Sequence, residues 1–179
     1  MSLLPTQQGD NSPQHESQCR RCGISCHVAV PLAKNPSGHD RAIVIPGMHC
    51  RFLQEETPGH FTCGVYENRF TEAPWCHHAD VAGPLGYLAQ DCPYGTPDRG
   101  KVRVGEAEMQ RLWPLLWRTI RQWGVPDFVH QPHFLAMLEQ RTQQKWQLVA
   151  ENQQPLPPDL QPSHAHVPRQ LRLVPLSQT

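Results

Sequence analysis

The 179-residue chain has no run of 18 apolar residues, so no segment is long enough to cross a bilayer as a helix. Its first 18 residues carry neither the basic stretch nor the apolar stretch of a secretory signal. The expectation is a cytoplasmic protein with no membrane partner. Net charge is also missing, because 16 basic side chains face 16 acidic ones. Polyanion binding draws on a basic excess, so this balance argues against a nucleic-acid partner. Lysine is scarce: Lys34, Lys101 and Lys145 stand against 13 arginines. Apolar residues make up only 38%, which leaves material for a small core. No Gly-rich phosphate loop, G-x-S-x-G or H-E-x-x-H pattern occurs, and no complete catalytic set is recognisable.

Cysteine is abundant, and all of it is in one region. Seven cysteines lie between Cys19 and Cys92, and none lies elsewhere. An odd number cannot pair completely as disulfides, and a reducing compartment disfavours them. Free buried cysteines do not normally cluster in this way. Metal ligation is the reading that remains. The spacing is C-x2-C-x3-C-x23-C-x12-C-x12-C-x15-C. Cys19, Cys22 and Cys26 form a local chelate, because two intervening residues let the chain turn and present both sulfurs to one ion. Gly23 can take the positive φ such a turn needs. Arg20 and Arg21 are placed to favour thiolates. Cys50, Cys63, Cys76 and Cys92 come from separate loops, which couples metal binding to folding.

Four thiolates suit Zn2+ and equally a 4Fe–4S cluster, and the spacing does not choose between them. Seven thiols supply one four-thiolate site plus three further ligands. His49, His60, His77 and His78 are candidates to complete the second set. The order C-x2-C-x3-C differs from the C-x3-C-x2-C of radical-SAM enzymes.

The chain divides by composition into a disordered arm (1–18), a cysteine-cluster metal-binding domain (19–100), a helical extension (101–151) and a Pro-rich tail (152–179). Within the second part, residues 42–45 read as a strand ended by Pro46-Gly47, and 61–66 as another. Met109, Leu112, Leu116, Ile120 and Trp123 recur at helical spacing over 105–123. Pro114 inside that stripe predicts a kink or two short helices. A further helix is expected over 132–151, with Phe134, Leu135, Leu138, Thr142, Trp146 and Val149 on one side. Six prolines in residues 152–179 predict an extended tail whose removal leaves stability nearly unchanged. The fold class expected is a small irregular α+β or mainly α structure, with a metal-stabilised lobe and two or three helices packed on it.

Three runs carry a family resemblance: Cys19-Arg-Arg-Cys22-Gly23-Ile-Ser25-Cys26, Gly47-Met-His-Cys50-Arg-Phe-Leu53 and Cys63-Gly-Val-Tyr66-Glu67-Asn-Arg69-Phe70. They resemble the YkgJ-type cysteine-cluster proteins, described as zinc- or iron-chelating domains. Residues 66–76, Leu88 and Cys92-Pro-Tyr94 are similar to the related YcgN-like bacterial proteins. The resemblance covers residues 19–95 and implies a metal centre without naming a reaction. The domain also occurs attached to a flagellin lysine methylase, where it is assigned an iron–sulfur cluster. One departure stands out: Ser25 replaces the first cysteine of the family's Cys-Cys doublet. Eight thiols would make two four-thiolate sites; with seven, the resemblance implies one site completed by a histidine or water, or left open for exchange or catalysis.

The function expected is a metal-chelating cysteine-cluster protein, its Zn2+ or iron–sulfur centre structural in a protein-interaction module. The alternative is an iron–sulfur accessory protein in redox or protein-modification chemistry. Tyr66, Glu67 and Arg69 are candidates to bond a ligand from behind. Asp80 and Asp91 flank later cysteines, but carboxylates beside soft sites are more often solvated. Trp113, Trp117, Trp123 and Trp146 are expected mainly to pack the helices, or else to face a protein partner.

Overall fold

A computed structural model describes residues 18–34, 40–96, 98–150 and 169–176. The expected disordered arm, apart from Gln18, and most of the expected tail lie outside the described residues. The fold is mixed α+β. Three small sheets share the chain with short helical turns and two longer helices.

The first sheet joins β1 (His27–Lys34), β2 (Asp40–His49) and β5 (Gly100–Val102). β1 and β2 are antiparallel, whereas β5 lies parallel to β2 on its other side. The expected strand at 42–45 is therefore the middle of a longer one. Pro46-Gly47 does not end it. The pairing jumps from His27↔His49 to Ala29↔Val44, so residues 45–48 bulge out of the ladder. Gly47 turns within that bulge at φ 70, and a Cβ there would sit 3.1 Å from Met137. The bulge is thus where a helix approaches the strand closely.

β3 (Leu53–Thr57) and β4 (His60–Cys63) form a hairpin closed by Pro58-Gly59. Gly59 has φ 79, the value a type II turn needs at its third position. Two single-turn helices follow, α1 (Arg69–Glu72) and α2 (Ala79–Ala82).

The predicted helix at 105–123 is α3 (Glu106–Trp123). It continues through Pro114 as one element, contrary to the expected division. A proline inside a helix costs about 3 kcal/mol. Burial of Met109, Leu116 and Ile120 on one stripe offsets that cost. After β6 (Val125–Pro126) comes α4 (Gln131–Thr142), with Pro132 in its first turn and His130 as its cap. This helix is shorter than expected. Gln143 adopts φ 55 and ends it, and Trp146–Val149 is a strand, β7. Trp146 reaches back so that its indole N–H donates to Thr142 Oγ1 at 2.8 Å.

The partner of β7 comes from the segment expected to be a tail. β8 (Gln170–Pro175) lies between β6 and β7 and pairs antiparallel with both. Pro175 is the last residue of this strand, so proline does not exclude sheet pairing here. The expected boundary at 100/101 likewise falls inside β5, so the cysteine region and the helical region share a sheet.

One face of β1 and β2, together with α3, α4 and β6, forms the core. It contains Val30, Ile43, Ile45, Met48, Leu116, Val125, Phe134 and Leu138, among others. Trp113, Trp117 and Trp146 pack on its rim, Trp117 edge-on to Trp146 at 5.0 Å. Arg141 grips Glu106 with two nitrogens, at 3.1 and 2.9 Å, and so ties α4 to the start of α3. Among the described residues, no helix is long and apolar enough to cross a membrane.

Leu138 is fully buried. Leu138→Ala is expected to cost about 2–5 kcal/mol in chemical denaturation. Truncation after Ala150 removes the middle strand of the third sheet, including Leu171 against Val125. It is expected to destabilise by about 2–4 kcal/mol from the lost apolar burial, read as a lowered melting temperature. A truncated chain that melts like the full one would return residues 170–175 to the status of a tail.

Candidate metal centre

The thiols are positioned by short backbone links around the ends of β1, β2 and β4. Cys22 is followed by Gly23 at φ 68, the left-handed conformation its place in the sequence predicts. A Cβ at Gly23 would meet the Phe61 ring at 2.8 Å, so glycine is needed there for space as well. The chain then makes a 3-10 turn over Ile24–Cys26, with Cys26 N–H donating to Gly23 C=O at 3.1 Å. Cys50, at the end of β2, donates its N–H to Cys26 C=O at 2.8 Å. Cys63 ends β4 opposite Leu53. Cys76 is placed by a turn after α1, its N–H donating to Ala73 C=O at 2.8 Å.

Electrostatics sorts the seven thiols into two groups. The Cys76 thiol is pushed up to about 12, first by burial and then by Cys26, Cys50 and Cys63. Burial also pushes Cys26 up to about 11. Cys50 and Cys63 add to that shift, while the Ser25 hydroxyl and the Lys101 charge oppose it. Cys50 is raised by burial and, more weakly, by Cys63. The Phe52 N–H and the Trp75 indole oppose that shift by favouring its thiolate. Cys26, Cys50, Cys63 and Cys76 thus share one neighbourhood. Cys92 is raised by burial and then by Cys22 and Cys19, which defines the second group.

An aromatic stack lies next to Cys50. Trp75 stacks on Phe52 at 6.2 Å and on Phe128 at 5.2 Å, and the Arg51 guanidinium lies over Trp75 at 4.9 Å. Arg69 sits over the Tyr66 ring at 4.0 Å, donates to Tyr66 C=O at 3.0 Å, and lowers the Cys76 pKa. A shallow cleft of about 340 Å3, lined by Cys63, Tyr66, Glu67 and Glu72 among others, opens beside Cys63. The second group is more open, with Cys19 exposed. Arg20 pairs with Asp91 at 3.0 Å, and Arg21 with Glu56 at 3.4 Å, so both arginines have carboxylate partners. Asp80 bonds the N–H of Val81 beside it.

The histidines fall differently from the sequence reading. His60 is exposed at the hairpin turn. His77 packs on Tyr87 at 5.3 Å, and His78 on Phe70 at 4.0 Å. His49 belongs to an imidazole cluster with His27, His130 and His133 that sequence reasoning missed. Its Nδ1 donates to Cys50 C=O at 3.0 Å, which leaves Nε2 to accept from His133 Nδ1 at 2.7 Å. His27 lies 5.4 Å from it, ring to ring. His27 and His49 each adjoin a cysteine in sequence, but nothing local marks that they would pair across β1 and β2.

Lys101 was also missed. Its ammonium donates to Ser25 C=O at 2.8 Å and His27 C=O at 2.7 Å. No local pattern marks this contact, because 74 or more residues separate the partners.

Among the described residues, no group of three or more His, Cys, Asp or Glu side chains is placed so that it could hold a metal ion. Cys26, Cys50 and Cys76 feel one another's or Cys63's charge without forming a closed shell. No family model, no curated protein and no solved structure matches the chain.

Burial holds His27 at a pKa of about 4, against 6.5 for an ordinary histidine. Between those values the unfolded chain binds a proton that the folded chain does not. Stability is therefore expected to fall as pH drops from 6.5 towards 4, by about 3 kcal/mol from this group. His27→Gln should flatten that part of a stability–pH curve measured on metal-free protein. An unchanged slope would remove His27 as its source.

Proposed function

We propose that the protein is a metal-chelating cysteine-cluster protein. Cys26, Cys50, Cys63 and Cys76 would hold the Zn2+ or iron–sulfur centre, and Cys19, Cys22 and Cys92 form a second, three-thiol group. One observation carries the proposal: four sulfurs from four separate chain segments share one electrostatic neighbourhood. Neutral thiols gain little from such crowding. A soft cation displaces their protons and converts mutual repulsion into shared ligation. Closing the shell requires the sulfurs to draw in towards the ion. The cleft beside Cys63 gives an ion a route to the group. The Phe52 N–H and the Trp75 indole at Cys50 would support a bound thiolate from behind.

The resemblance to YkgJ-type proteins points the same way. Ser25 stands where that family has a cysteine, and the three-thiol group is one ligand short of a closed site. In this reading the centre staples a small fold and the rest of the chain serves a protein partner. Trp113, Trp117 and Trp146 pack against the core, which leaves Trp123 as the tryptophan of α3 for such a contact.

The test is metal analysis with a visible spectrum on full-length protein purified without oxygen. At least one metal-bound centre per chain is expected. Cys76→Ser should abolish it, and Cys92→Ser should leave it in place. Colourless protein with zinc identifies a structural centre. Brown protein with iron and acid-labile sulfide, bleaching on reduction, favours the iron–sulfur accessory role. Protein free of zinc and iron would overturn the proposal.

A further inference from the structure

Lys101 reaches the thiols from outside the cysteine region. β5 delivers it, paired to β2 on one side and bridged to Ala89 on the other. Its ammonium bonds the carbonyls of Ser25 and His27, the two residues that flank Cys26. The Tyr87 ring centre lies 5.9 Å away. Both hydrogen-bond acceptors are neutral carbonyls, and no carboxylate among the described residues pairs with this ammonium. Cys26 and Cys76 are the groups whose negative charge the ammonium would feel. Four thiolates around one Zn2+ leave a net charge of about −2. The lysine and such a centre would each supply the charge that the other lacks.

We infer that Lys101 is a positioning residue of the four-thiol centre, whose charge is the fixed counterion of the thiolates and whose two hydrogen bonds hold Cys26 in place. This rests on the metal-chelating reading above. Without a metal centre the ammonium has the two neutral carbonyls as its partners, so loss of its charge should weaken metal binding without lowering metal-free stability. Lys101→Gln keeps a polar N–H group one bond shorter and removes the charge. Lys101→Arg keeps the charge.

The experiment compares full-length wild type, Lys101→Gln and Lys101→Arg. Zn2+ affinity is read by competition with a chromophoric chelator, and melting is measured on metal-free samples. Co2+ serves as a probe that the ligand set is still four sulfurs. Lys101→Gln is expected to lose about tenfold or more in Zn2+ affinity. Its metal-free form should melt no lower than wild type. Lys101→Arg should recover most of the affinity; if it does not fold, the Gln variant decides alone. A Gln variant that binds Zn2+ like wild type overturns the inference and leaves the metal centre standing. A metal-free Gln variant that melts several degrees lower overturns it too, because the lysine would then serve the fold and not the centre. Wild type that binds neither Zn2+ nor Co2+ overturns the metal reading and this inference together.

Discussion

The hydrogen bond from Cys50 N–H to Cys26 C=O, 2.8 Å long, is the constraint on which the rest of the arrangement depends. It fixes where β1 and β2 begin to pair and so sets which residues lie opposite. His27 then faces His49. Further along the pair, Ile43 and Ile45 lie in the core. The α4 region is attached to the same corner. His130 N–H donates to His49 C=O at 2.8 Å, and Arg51 N–H to Phe128 C=O at 2.9 Å. The hairpin joins there as well, through Gly64 N–H on Phe52 C=O.

Features that depend on near neighbours in sequence were legible. The cysteine spacing, the left-handed Gly23 and the apolar stripe of α3 all repeat or turn within a few residues. The expected helix at 132–151 shows where that reading fails. Phe134 and Leu138 are helical and fully buried, but Trp146 and Val149 continued the same spacing by coincidence. Four residues cannot separate a helical period from a strand. What decided the matter was β8, more than twenty positions away, supplying a ladder. The imidazole cluster and Lys101 were missed for the same reason. His49 and His133 are 84 positions apart, and Lys101 is 76 from Ser25.

Within the candidate site, the sequence indicated which residue types would meet but not how they would divide. The division into four and three rests on which thiols raise one another's pKa. Cys26 stands at the start of β1, Cys50 and Cys63 at the ends of β2 and β4, and Cys76 in a turn after α1. Cys92 is held in a turn just past the segment that bridges to β5, and it faces the approach to β1. Desolvation is the largest cause of the raised thiols in both groups. A structure that raises thiols this far is organised around their neutral or their metal-bound form, with little place for the free thiolate.

The position of β8 between β6 and β7 has a consequence for how the chain is made. Of those three strands, β8 leaves the ribosome last, with residues 150–169 between it and β7. Until then β6 and β7 each present an open edge next to half-covered tryptophans, and open edges invite pairing with other chains. The nascent protein therefore passes through an interval in which its first sheet is complete and its third is not. Chaperone binding or self-association during synthesis would fall in that interval.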